Sequence, residues 1–360
     1  MALLYMDGFD LQDTLIRWTT IGYTASVVYT PATRLGAGKC VHLTVGSGGG
    51  VGGQIQIVRT FTPSAQVYVG AALQVGFDTG TTSEPTANFF GLCGDNGTTG
   101  HLYLHRTTSS AIQLYRGDPA IGTFNSPSGT LLATSAPGTF DANWHYVEMS
   151  ATLHDSTGAV TVKVDGTTIL TFTGDTKNGG TSTNIDTLKF KAGRYNFEPT
   201  ATITIDDLYI CNSTGTVNNT FLGDMRVQSL LPSGAGASTQ LTVTGAANNH
   251  TAAGESPYNN ATYNSSATVG QRDTYALSDL AAGTAGVLGV QAVAHMQKSD
   301  SGSASAKLAI KSGATVYYDA TQSLGTAVAT YSQVRETDPA TSAAWTVAAV
   351  NALEAGMEVA

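Results

Sequence analysis

The residues of this sequence whose chemistry is easiest to name are two adjacent aspartates, two histidines four apart and three cysteines. Asp206 and Asp207 lie in Ile205-Asp-Asp-Leu-Tyr-Ile210, an alternating run that reads as a strand. Cleaving a glycosidic bond takes two carboxyl groups roughly 5 to 10 Å apart. Successive side chains of a strand point to opposite faces, so the spacing predicts that this pair does not flank one bond. His101 and His105 share a face of a strand-like segment, but a metal site needs further ligands and none stands at a telling spacing. No G-x-S-x-G elbow is present to carry a serine nucleophile. Cys40, Cys93 and Cys211 are far apart and odd in number, which suits neither a disulfide framework nor a zinc pair and leaves them as small buried apolar groups.

The elements that must position these residues are strands. Charged residues make up 12% of the 360, about half the roughly 25% usual in a soluble domain, while 41 glycines supply turns. Gln54-Ile-Gln-Ile-Val-Arg-Thr-Phe61 alternates with period two. Gly158 to Phe172 reads as a hairpin in which Asp165-Gly166 supplies the positive φ of a tight turn. One helix is expected, near 343–355, where Trp345, Ala349 and Leu353 recur at helical spacing and Gly356 caps the end. Met225 to Leu231 and the long apolar run Ala285 to Met296 are expected as strands. A polar, turn-rich stretch from Cys211 to Thr220 places a seam near Leu222 and divides the chain into 1–222 and 223–360.

Charge excludes one class of partner. The net charge is −9, and each part is acidic: 11 basic against 16 acidic residues in 1–222, and 6 against 10 in 223–360. No cluster of Lys and Arg is dense enough to release the counterions of a nucleic acid. No apolar run reaches the roughly 18 to 20 residues of a membrane-spanning helix, so membrane insertion is not expected. The start, MALLYMDGFDLQD, lacks a basic n-region and an uninterrupted apolar h-region, so the expectation is a protein made without a signal peptide.

Three motifs carry a family resemblance. The strand ending in Asp7-Gly-Phe-Asp10 and followed by Trp18, the Asn143-Trp-His-Tyr-Val-Glu148 entry to a strand, and the Val162-Lys-Val-Asp-Gly166 hairpin resemble concanavalin A-like, laminin-G-like jelly rolls. Ile205-Asp-Asp-Leu-Tyr-Ile210 is similar to the last strand of those domains, which lies beside the first. The Asp-Gly-Phe-Asp start, the Phe221-Leu-Gly-Asp-Met-Arg-Val-Gln-Ser-Leu-Leu-Pro232 junction and the Arg335-Glu-Thr-Asp-Pro339 to Trp345 ending resemble tailed-bacteriophage virion proteins.

The resemblance implies an all-β fold: a concanavalin A-like jelly-roll sandwich followed by a second, smaller β-sandwich domain. It implies a virion protein made in the host cytoplasm, decorating head or tail, partnered by other virion proteins and by copies of itself, and touching host-surface glycan. The alternative is a carbohydrate-binding adhesin or lectin module of a cell surface. Some lectin-like relatives are glucanases with Glu-x-Asp-x-x-Glu on a strand; this run is missing, so no enzymatic activity is expected. Such domains often hold Ca²⁺ in loops of Asp and Asn, which places Asp95 and Asn96 of Cys93-Gly-Asp-Asn-Gly97 as calcium-ligand candidates. A sugar platform needs aromatic faces beside polar groups, and Tyr103, Tyr115 and Tyr195 are its candidates.

Overall fold

A computed structural model describes residues 1–11, 16–23, 25–30, 34, 38–45, 54–77, 87–118, 127–193 and 201–360. The chain divides into two units, one made of Met1–Asp10 and Arg17–Val227, the other containing Gln228–Ala360. Among the described residues the first unit carries fifteen strands. They are β1 (Leu3–Asp7), β2 (Thr19–Tyr23), β3 (Ala25–Thr30), β4 (Cys40–Val45), β5 (Gln54–Ser64), β6 (Gln66–Phe77), β7 (Ala87–Gly94) and β8 (Thr99–Arg106). There follow β9 (Ile112–Arg116), β10 (Thr130–Thr134), β11 (His145–Thr152), β12 (Gly158–Val164), β13 (Thr167–Gly174), β14 (Ile185–Gly193) and β15 (Ala201–Asn212).

These strands form the two antiparallel layers of a jelly-roll sandwich. One layer runs β3–β4–β15–β6–β11–β12–β13, and β1 shares with β4 the free edge of β15. First and last strands of the unit therefore lie side by side. The other layer runs β2–β5–β14–β7–β8–β9–β10, and the Gly193–Ala201 pair links the two. Strand periodicity decides what fills the space between them. Val67, Val69, Ala71, Leu73 and Val75 of β6 are all buried and lie in register with Ala151, Met149 and Val147 of β11 and with Ile210, Ile205 and Ile203 of β15. Phe90, Phe190 and Trp18 extend this core, with ring centroids 5.5 to 6.2 Å apart.

The Asp7-Gly-Phe-Asp10 motif has a structural cause. The Asp7 carboxylate, itself buried, accepts hydrogen bonds from the Tyr5 hydroxyl (2.7 Å), the Phe9 amide (2.9 Å) and the Trp18 indole (3.0 Å), and pairs with Arg17 at 3.2 Å. A buried carboxylate is tolerable only with such a complement of donors.

The second unit is a smaller all-β fold. Its strands are β16 (Pro232–Thr239), β17 (Thr242–Thr244), β18 (Tyr263–Ser265), β19 (Arg272–Leu277), β20 (Val290–Met296) and β21 (Ser305–Ser312), then β22 (Thr315–Tyr318), β23 (Gln322–Ser323), β24 (Ala329–Arg335) and β25 (Glu354–Val359). The main sheet is ordered β16–β19–β25–β21–β22 with β23 on β21, beside the pairs β17–β18 and β20–β24. Trp345, Leu308, Ile310, Met296, Val350 and Leu353 form its core, and the Trp345 indole donates to the Arg335 carbonyl at 2.9 Å.

Several expected elements differ. Met225 to Leu231 forms no strand, and the Ala285–Met296 run is extended in a sheet only from Val290. The helix is shorter than 343–355: α2 spans Val347–Asn351, with α1 (Asn249–Ala253) as a second short helix. Gly356 does not cap it. It lies inside β25, where a Cβ would come within 1.9 Å of the Asp273 carbonyl oxygen, so strand packing and not helix termination requires the glycine there.

Trp345→Ala is expected to lower the stability of the second unit by about 3–5 kcal/mol, because it removes a buried ring and its hydrogen bond to the Arg335 carbonyl. Denaturant unfolding followed by circular dichroism measures this; a change within error would show that the core does not depend on that ring.

Candidate functional site

A group of titratable side chains lies on the outer face of the β6–β11–β15 layer. Register places it there. Val162 of β12 pairs with Met149 in the core, so the next residues along, Lys163 and Glu148, face outward. Glu148 is opposite Gly70 of β6, and Gly70 is opposite Tyr209 of β15. A Cβ on Gly70 would lie 2.2 Å from the Tyr209 ring, so the missing side chain is what lets that ring cross β6 and donate its hydroxyl to Glu148 Oε1 at 2.5 Å. The next row is Tyr146, Ala72 and Asp206, and the row beyond holds Gln74, Thr204 and His42, with His42 Nδ1 2.9 Å from the Thr204 hydroxyl.

Asp206 and Asp207 correct the expectation of opposite faces. Asp206 pairs with Ala72 and Tyr209 with Gly70, so two residues of β15, Asp207 and Leu208, stand against the single Ala71. This is a β-bulge, and Asp207 takes a φ of +50° to make it. Leu208 turns into the core while the Asp207 carboxylate faces outward and accepts the Val227 amide at 2.8 Å. Both carboxyls are therefore on the outer face. Burial, followed by the neighbouring Asp207 charge, pushes Asp206 up to about 8. Burial pushes Asp207 up to about 6 against the opposing pull of the Val227 amide and of Arg34 and Arg226.

A strap of chain, residues 221–227, crosses this face where a strand was expected. The Leu222 amide donates to the Tyr209 hydroxyl at 3.2 Å and the Gly223 amide to Glu148 Oε1 at 2.9 Å. Asp224 pairs with Arg34, whose guanidinium lies 5.3 Å from the Tyr146 ring centroid. Phe221 packs edge-on against Tyr68 at 5.3 Å, under the Lys163 ammonium. Val227 comes so close to β1 that a Cβ on Gly8 would lie 2.5 Å from its carbonyl oxygen.

The residues expected to bind sugar or metal are placed elsewhere. Tyr103 and Tyr115 stack face to face on the other layer, centroids 5.2 Å apart, and both are buried. The Tyr103 hydroxyl is spent on the Ser128 carbonyl and that of Tyr115 on Gln113, so neither ring offers an open platform. Tyr195 lies outside the described residues. Asp95 and Asn96 form the turn between β7 and β8, where Asp95 accepts the Thr99 hydroxyl at 2.7 Å and the Asn96 amide donates to Asp186 at 2.9 Å. Among the described residues no three His, Cys, Asp or Glu side chains are grouped to hold a metal ion. His105, bonded to Asn88, is held by burial down to about 4, and burial also lowers His101, which accepts the Asn178 amide. All three cysteines are buried.

No family model matches the chain, and no curated protein matches it. Solved structures do. A cellulose induced protein, Cip1, is 15% identical over 58% of this chain and 97% of its own, with a TM-score of 0.40. The alginate lyase Aly36B in complex with alginate trisaccharide is 14% identical over 58% and 98%, at 0.36. A carbohydrate esterase from the Shiga toxin-encoding bacteriophage phi24B is 16% identical over 54% and 89%, at 0.33. At such identities the likeness is one of fold alone. The expectation of a chain without enzymatic activity is corrected here: matches named as an alginate lyase, a carbohydrate esterase and a sialidase stand against it.

The raised carboxyls give the fold a pH dependence with a definite sign. A carboxyl held above its ordinary value keeps its proton in the folded state and loses it in the unfolded one, so its contribution to stability falls as pH rises through about 6 for Asp207 and about 8 for Asp206. Asp206→Asn keeps the acceptor for the Asp207 amide, 2.9 Å in the native chain, and removes the ionisation. The variant is expected to gain on the wild type between about pH 5 and about pH 9, by on the order of a few kcal/mol at the alkaline end. Thermal unfolding across that range measures it; parallel curves would show that Asp206 does not hold a proton in the folded protein.

Proposed function

We propose that the protein is a component of a bacteriophage particle whose first unit engages host-surface carbohydrate across the outer face of the β6–β11–β15 layer. The observation that carries this reading is the composition of that face: carboxyls, tyrosine hydroxyls, Gln74, Thr204 and His42 arranged in rows across the strands, already holding one segment of chain through its backbone amides. Saccharide hydroxyls are donors and acceptors of the same kind, and within each row the neighbouring strands offer them partners about 4.8 Å apart. Beside the strap, Gln74 and His42 are half-exposed and form its accessible part. Membership of the particle is supported by the Asp7-Gly-Phe-Asp10 start and the Phe221 to Pro232 junction. The expected partners within it are other virion proteins and further copies of this chain.

Mass spectrometry of purified virions is expected to find the chain in intact particles, and its absence would sink the virion part of the reading. On a glycan array the full chain is expected to show saturable binding, reduced about tenfold in the His42→Ala/Gln74→Ala double variant, the loss expected when one or two hydrogen bonds are removed. Unchanged binding in that variant would move the site off this face. Because carbohydrate-active enzymes share the sandwich, retained polymers are also assayed for chain cleavage.

A further inference from the structure

The strap makes, in the plane of the outer face, the contacts a hydroxylated chain would make. Its Leu222, Gly223 and Val227 amides are three donors set on three acceptors, the Tyr209 hydroxyl, Glu148 and Asp207. Its hold is light for its position. Phe221, Leu222, Gly223, Met225 and Val227 are only half-buried, and Asp224 and Arg226 are exposed. Gly223 takes a φ of +80°, a conformation other residues adopt only under strain, with open space where a Cβ would stand. The acceptors beneath are buried far more deeply, Glu148 at 1% and Asp207 at 3% exposure. Buried acceptors under a half-exposed cover are arranged for an occupant that exchanges.

We infer that residues 221–227 are a built-in occupant of the carbohydrate face, and that the chain able to replace them is a neutral, hydroxyl-rich glycan and not an acidic one. The identity of the ligand rests on the carbohydrate reading above; the strap's role as a displaceable cover does not. Charge decides the class. Asp10, Glu148, Asp206 and Asp207 face this region from β15, β11 and the end of β1, against Arg34 and Lys163, while the strap's own Asp224 and Arg226 depart with it. Opening also returns water to Asp206 and Asp207, which favours their ionised forms. A uronate or sialate would bring its carboxylate against that acidic set, whereas neutral hydroxyls donate to it.

The test loosens the strap without touching the face. Gly223→Ala/Asp224→Asn strains the positive-φ residue and removes the Arg34 partner, and it is compared with the wild-type full chain in two measurements. Amide hydrogen exchange is expected to accelerate at least about tenfold at Leu222, Gly223 and Val227, with the β6 and β11 amides unchanged. Affinity electrophoresis is expected to show severalfold stronger retention by the neutral polymer dextran and none by alginate, a polyuronate. Strap amides that exchange only with global unfolding in both proteins would overturn the displaceable cover. Faster exchange with unaltered dextran retention would overturn the strap as occupant while leaving the carbohydrate reading standing. Faster exchange with no polymer retained by either protein would remove the carbohydrate reading and leave the cover. Preferential retention by alginate would overturn the neutral class.

Discussion

The first unit is organised by the cost of burying carboxyl groups on the outside of a sheet. Glu148, Asp206 and Asp207 are each less than a tenth exposed although they point away from the sandwich core. A carboxylate in such a place must be met by donors, or else keep its proton. Both solutions occur within one row of each other. Glu148 is met by the Tyr209 hydroxyl and the Gly223 amide, whereas Asp206, which accepts the Asp207 amide and faces a second carboxyl, is pushed toward its neutral form. The glycine at 70, the bulge at 207 and the course of the strap are the geometric conditions under which those donors arrive.

The same requirement recurs in each unit as a single buried aspartate that gathers donors from separate segments. Asp7 collects a tyrosine hydroxyl, a backbone amide, an indole and a guanidinium. Asp273, wholly buried on β19, collects the Gln240 and Leu241 amides, the Asn249 side chain and the Tyr275 hydroxyl. In the second case the donors come from β19 itself, from the loop after β16 and from α1, so one carboxylate fixes how the chain turns back over its own sheet. Each hydrogen bond to a charged group contributes about 1.5–3 kcal/mol, which is enough for such a hub to stand in for apolar contacts that a small, glycine-rich sheet lacks.

What was legible in the sequence follows from which forces are local. The β12–β13 hairpin was readable because Asp165-Gly166 and the flanking alternation are consequences of backbone geometry alone. The all-β class was readable for similar reasons, while the neighbouring first and last strands were implied by the resemblance to jelly rolls. The bulge was not, because Asp206-Asp207 alternates perfectly on paper and only the Ala71 register across the sheet makes room for the extra residue. The strap resembles a strand by its Met225 and Val227 alternation, yet its amides are claimed by side chains of the sheet below and not by a neighbouring strand. Tyr103 and Tyr115 illustrate the converse: aromatic residues expected beside a sugar stack on each other and spend their hydroxyls within the fold, which satisfies them without a ligand. For the helix, Trp345 has the right spacing to Ala349, but its indole is committed to the Arg335 carbonyl before the first helical turn begins at Val347.

The charge-poor composition and the site have a common cause. With 17 basic residues against 26 acidic ones in 360, this chain has fewer cations than carboxylates, and few of the cations stand at the outer face. The outer face accordingly draws on neutral donors, tyrosine hydroxyls and backbone amides, which satisfy lone pairs without supplying a compensating charge. Neutral donors stabilise an anion less than a guanidinium does. Asp206 and Asp207, with Arg34 shared between them and Asp224, are pushed up chiefly by their burial, whereas the Asp7 carboxylate meets the Arg17 guanidinium at 3.2 Å beside its neutral donors. The carboxyls of the outer face are thus met by hydroxyls and backbone amides more than by cations, which leaves a proton-holding face on this sandwich.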